Sequence, residues 1–165
     1  MGTFYWQEQW LDILSEQEHL LCYPEFTRKM ALDLGMEILR LAQETYRKSA
    51  AIRIVEDGTT IFAYKMEGTS LENDWWMDKK LAVSRMTGIS SLRSYVEAES
   101  GRLSPEWLKR PDNFAVCGGC FPVFSTDGQT PWAHVLVSGM EHYEDHQIIA
   151  DAMAIQLNQT IKRVL

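Results

Sequence analysis

Across its 165 residues the chain has no uninterrupted apolar segment near the roughly 18 residues that a membrane-spanning helix needs. A membrane span is therefore not expected. It also has no run of Lys or Arg. Asp and Glu number 23 against 16 basic residues, a formal net charge of −7. Such a chain is poorly suited to holding nucleic acid through phosphate neutralisation. The N-terminus, MGTFYWQEQWLDIL, lacks the basic residues that precede the apolar part of a secretory signal. Cysteines are few: Cys22, Cys117 and Cys120. An odd count in a chain large enough to build a core without staples fits free thiols in a reducing, cytoplasmic compartment. A Gly-rich phosphate loop, a G-x-S-x-G elbow and an HExxH pair are all missing. What is left is an ordinary globular composition, 45% apolar and 24% charged, with no catalytic set.

What is present has a clear order. Residues 1–25 hold five acids (Glu8, Asp12, Glu16, Glu18 and Glu25) and no Lys or Arg. Trp6, Trp10, Ile13, Leu14, Leu20 and Leu21 recur there at near-helical spacing, which predicts an amphipathic helical extension over 1–24. Its acidic polar face disfavours a membrane surface, so its aromatic stripe is expected on the chain's own domain or on a second copy. After Pro24 a domain over 25–165 begins with a helix near 25–47. Phe26, Met30, Leu34, Ile38, Leu41 and Tyr46 line one side of it. The period then changes to two. Alternating residues flank Asp57-Gly58, which predicts an antiparallel hairpin with strands near 50–56 and 59–66. Thr69-Ser70-Leu71-Glu72 has the form of a capping box, opening a helix that Gly88 ends. Residues 89–101 lean to helix and 101–113 read as loop. A second Asp-Gly, Asp127-Gly128, joins FPVFS to AHVLVSG as another antiparallel pair. A last helix is expected over 142–164. Two hairpins without β-helix-β alternation predict an α+β fold, an antiparallel sheet flanked by helices.

Three constellations could carry chemistry. Cys117-Gly118-Gly119-Cys120 has the spacing of a redox dithiol. However, a strand follows it, not the helix N-terminus that lowers a thiol pKa, and a zinc site would need two further ligands. The bland alternative is a tight strand entry with two small packing groups. His142 and His146 stand at i, i+4 beside Asp145, a pair that could meet a metal or a haem iron or merely cap a helix. Ser138-Gly139 precedes the same helix and could offer backbone N–H groups to an anion.

Four blocks in fixed order make the chain recognisable: Ile52–Ala63 (IRIVEDGTTIFA), Gly68–Lys80 (GTSLENDWWMDKK), Cys117–Val123 (CGGCFPV) and Val137–His146 (VSGMEHYEDH). Together they resemble the GlcG/HbpS-type haem-binding or haem-degrading domain, and within it an uncharacterised branch. The resemblance covers roughly 25–160. It implies a profilin-like or PAS-like α+β fold with an antiparallel five-stranded sheet flanked by helices. It also implies homo-oligomers built on dimers, and association with haem or another small ligand. Carried onto this sequence, the motifs single out Asn73, Asp74, Trp76 and Lys80 on a helix, Gly118, Gly119 and Phe121 at a strand entry, and Gly139, Asp145 and His146 at a helix start. All are expected around one cleft or subunit junction. Cys117 is a departure, since another residue usually precedes the two glycines. On this reading His146, His142 and Cys117 are the candidate iron ligands, with Trp75, Trp76 and Phe121 as an apolar wall. Two other readings stand beside it. One is a non-enzymatic oligomeric scaffold that binds protein partners through its aromatic residues. The other is a thiol redox protein using Cys117 and Cys120.

Overall fold

The computed structural model describes residues 4–129 and 131–165. The first three residues of the predicted N-terminal extension, and Thr130 in the second predicted hairpin loop, lie outside the described residues. Strands β2 (Ala51–Glu56) and β3 (Thr59–Lys65) make the first hairpin. At its turn Asp57 and Gly58 both have positive φ, 46° and 80°, the geometry that matches the twist of the flanking strands. Strands β4 (Cys120–Ser125) and β5 (Pro131–Ser138) make the second hairpin. β5 also pairs antiparallel with β2, so the two hairpins join side by side.

A fifth strand, β1 (Cys22–Tyr23), lies parallel to β4 and gives the order β1-β4-β5-β2-β3. The sheet is thus antiparallel through four strands and parallel at one edge. The residues alone do not reveal β1, because two residues carry no period.

Helices cover both faces. On one face Ile52, Ile54, Phe121, Val123, Val135 and Val137 pack against α2 (Arg28–Leu41) and α5 (His142–Leu157). On the other, Ala51, Val55, Cys120 and Leu136 meet Met77 and Leu81 of α3 (Leu71–Thr87). Strands buried on both sides read as apolar runs, not as strict alternation.

The predicted N-terminal helix is α1 (Trp10–Leu20), and it is built into this fold. Trp10 and Leu14 bury against Leu92, Tyr95 and Val96 of α4 (Ser91–Glu99), together with Val164 near the C-terminus. Glu18 caps α4: it accepts the Ser90 N–H at 2.8 Å and pairs with Arg93 at 2.9 Å. Burial raises the Glu18 carboxyl pKa against the opposing pull of Arg93.

Several boundaries differ from the reading of the sequence, among them the start of α3 and the end of the last helix. The N-cap of α3 is Ser70, not Thr69. Its hydroxyl accepts the Glu72 N–H, and Asn73 takes the reciprocal role by accepting the Ser70 N–H at 2.9 Å. An Asn oxygen can return the bond as a Glu oxygen would, so the box sits one residue later. The last helix stops at Leu157 because Asn158 turns left-handed, with φ 53°. The chain then folds back, and Lys162 offers its carbonyl to the Gln17 side-chain amide at 2.8 Å.

Candidate functional site

Asn73, Trp76 and Lys80 recur at helical spacing along α3 and face the end of β5 and the start of α5. Asn73 ties this end of the helix to the sheet, donating to Ser138 Oγ at 3.1 Å. Lys80 carries the strongest electrostatic feature. Its Nζ donates to the Val137 carbonyl at 3.0 Å and to Asp145 Oδ2 at 3.2 Å, with both side chains only 3% exposed. Asp145 Oδ1 accepts the Met140 N–H at 3.0 Å. Burial pushes the Asp145 carboxyl up to about 6, against the opposing pull of Lys80.

The paired glycines make this arrangement sterically possible. A Cβ on Gly119 would stand 2.6 Å from Lys80 Nζ and would collide with the Val137 carbonyl oxygen. Gly119 also has φ 127°, which L side chains rarely adopt. A Cβ on Gly118 would collide with the carbonyl oxygen of His142. The Gly118 N–H instead donates to His142 Nδ1 at 3.1 Å. That acceptor role puts the ring proton on Nε2, which donates to the Tyr5 carbonyl at 2.8 Å. Burial lowers His142 to about 4, so the ring is neutral.

His146 is fully buried. Gln17 spends its amide N–H groups on Gln147 Oε1 and the Lys162 carbonyl, so its oxygen accepts from His146 Nε2 at 2.8 Å. The His146 Nδ1 has no hydrogen-bond partner among the described residues. Burial, with the neighbouring His142, lowers this ring to about 3.

Seven of the twelve singled-out residues line one cleft of about 320 Å³: Asn73, Trp76, Lys80, Cys117, Gly139, His142 and Asp145. Asp74 lies outside it, paired with Arg53 and Lys65. Gly118 and Gly119 are the buried backbone beside it. Phe121 and His146 are not on the wall. They lie in the core beneath it, their rings 5.4 Å apart, because inward-facing positions of β4 and α5 meet there. Trp75 is 56% exposed and lies outside the cleft, since the helical turn points it away from Trp76. Three cleft residues were not foreseen: Phe4, Met140 and Glu72. Phe4 gave no signal, being remote in sequence and brought in by the packing of α1. Cys117 and Cys120 are free thiols, both raised by burial, Cys120 to about 12. A reactive dithiol needs the opposite shift.

The chain matches the family model described as haem degrading protein HbpS-like over residues 26–154. It is 32% identical over 142 residues to a UPF0303 protein of Streptomyces coelicolor, covering 85% of this chain and 89% of that one. Among solved structures it resembles the Ybr137w protein with a TM-score of 0.79 at 25% identity, covering 90% of this chain and 87% of that one. It also resembles a PduOC:heme complex with a TM-score of 0.60 at 18% identity, covering 81% of this chain and 95% of that one.

Two predictions follow from the geometry. Lys80→Met should cost about 3–5 kcal/mol in urea denaturation, because it strands a buried carboxylate. The double change Lys80→Met, Asp145→Leu should recover a large part of that loss, and a double variant no more stable than the single would refute the pair's role. The second concerns pH. His134, His142 and His146 are held by burial at about 4, 4 and 3. Their folded values lie below the unfolded value near 6.5, so the stability they contribute is present above pH 6.5 and lost as pH falls towards 4. Asp145 has the opposite sign, being raised from 3.8 to about 6, and its contribution grows over the same fall. Glu18, also raised by burial, shares that sign; three depressed imidazoles outweigh two raised carboxyls, and the urea midpoint should drop between pH 6.5 and 4. A midpoint that holds or rises would count against the neutral histidines.

Proposed function

The chain belongs to the HbpS-like family of haem-degrading proteins, and from that premise we propose that it is a small-ligand-binding protein that works as a homo-oligomer. The carrying observation is the cleft itself. A buried ion pair, a neutral imidazole and a thiol converge under an apolar wall of Phe4, Trp76 and Met140. Perturbed titratable groups gathered in a concave, partly apolar site mark a binding site more often than chance. The reading is binding, with no catalytic set assigned.

Haem is the group the family implies, and the residues here do not fit it as an iron ligand set. Both nitrogens of His142 are committed to Gly118 and Tyr5. His146 lies outside the cleft, fully buried. The Cys117 thiol is raised by burial and stays protonated, whereas iron takes a thiolate. The cleft volume of about 320 Å³ is at the lower end of ligand pockets. The ligand proposed is therefore a small organic molecule with a planar or apolar part to lie on Trp76.

Amide and indole NMR spectra recorded against a fragment set test this, with haemin titration in parallel. Hits should move the Trp76 indole and Met140 amide signals and be lost in Trp76→Ala. Haemin should give no Soret band that depends on His142 or Cys117. A fragment set that moves neither signal, or a Soret band abolished by His142→Ala, would overturn the reading.

The oligomer is supported by unburied apolar side chains on one stripe of α3, Leu71 at 63% and Trp75 at 56% exposed. The same stripe suits a protein partner if the chain acts as a scaffold. Light scattering should give a mass above one 19.0 kDa chain, reduced by Leu71→Glu with Trp75→Glu. A monomer mass for the unaltered protein would refute the oligomer.

A further inference from the structure

A second and larger cavity, of about 620 Å³, lies at the opposite end of α3 and β5 from the cleft. It is bounded by the last turns of α3, the first residues of β5 and the turn at Asp57-Gly58. Two of its polar side chains lack ordinary partners. Arg85 makes no ion pair or hydrogen bond with any described residue, whereas Arg53, Arg93 and Arg163 are all paired. His134 stands opposite Pro122 in the β4–β5 register, and neither of its ring nitrogens has a partner among the described residues. Ser84, only 1% exposed, lines the same wall with the Cys120 thiol as its partner. In a chain of net charge −7, an unpaired guanidinium beside a partnerless imidazole is an anion site in waiting. Asp57 also lines the cavity; it and Arg85 are both exposed, so water screens each, and no ion pair joins them among the described residues.

The remaining wall sets the shape. Pro122, Phe124 and Trp132 are flat and apolar. The indole N–H of Trp132 donates to the Tyr23 carbonyl at 3.0 Å, which fixes the ring while leaving the residue 38% exposed. A fixed aromatic surface beside a single guanidinium suits a planar body bearing one negative charge. A dianionic phosphate would call for more cations than Arg85 alone. We infer that this cavity binds a small aromatic carboxylate, its carboxylate on Arg85 and His134 and its ring against Trp132. The site is distinct from the cleft of the proposed function and does not depend on that reading.

Benzoate, benzamide and inorganic phosphate are the probes, titrated into the full chain and followed by calorimetry and by the Trp132 indole signal in NMR. Benzoate should bind and move that signal. Benzamide, the same size but uncharged, should bind at least about tenfold more weakly, a difference of about 1.4 kcal/mol. Phosphate should not displace benzoate. Arg85 is exposed, so Arg85→Gln should fold normally and erase the preference for benzoate, while Arg85→Lys should keep part of it by retaining charge without the bidentate fork. The inference is overturned if benzoate and benzamide bind equally, if phosphate competes, if Arg85→Gln retains benzoate affinity, or if benzoate at about 10 mM moves nothing.

Discussion

A single buried charge pair organises one end of the molecule. Lys80 and Asp145 come from helices on opposite faces of the sheet, and they meet at the end of β5, where the Val137 carbonyl takes a further hydrogen bond from the ammonium. Taking two charges out of water is costly, and their attraction compensates only when the remaining donors and acceptors are satisfied. Here the Met140 N–H and the Val137 carbonyl do that. The demand reaches back into the sequence. Lysine can lie at that depth only if the backbone beside it carries no Cβ, which is what Gly119 provides.

Around this pair the protein keeps its imidazoles uncharged. His142 is held between a backbone donor and a backbone acceptor, and His146 leans on a glutamine whose own amide is already committed. Neutral rings fixed in this way position α5 against α1 and the strand entry. Both nitrogens of His142 are committed by these bonds, while His146 keeps an unpartnered Nδ1 in the core outside the cleft. A histidine pair at i, i+4 therefore reads in sequence like a ligand set and acts in the structure as internal bracing. The two cysteines behave alike: their spacing suggests redox chemistry, yet burial raises both thiols.

The two cavities sit at the two ends of the same helix and strand. One is entered past Trp76 and the other past Trp132. They differ in electrostatics. The cleft has its cation already neutralised by Asp145, whereas Arg85 is left without a partner among the described residues. One sheet and one helix line both.

Much of the architecture follows from local chemistry that any reader of the residues can see. Asp57-Gly58 specifies its hairpin because both turn residues need positive φ, and α2 keeps its helical period because its apolar face is long, whereas α5 is buried on nearly all sides. The co-location of Asn73, Lys80, Cys117 and Asp145 was also within reach, through the resemblance of their motifs to one family. Other features were settled only by packing. The two-residue strand β1 exists because α1 delivers it to the edge of β4, and Phe4 reaches the cleft for the same reason. Phe121 and His146 fell behind the wall because the faces of β4 and α5 were fixed by the core they share. Local sequence determines which backbone forms are favourable. Which polar atoms end up facing a cavity, and which face one another, depends on contacts between residues more than a hundred positions apart, as Gln17 with His146 and Tyr5 with His142 illustrate.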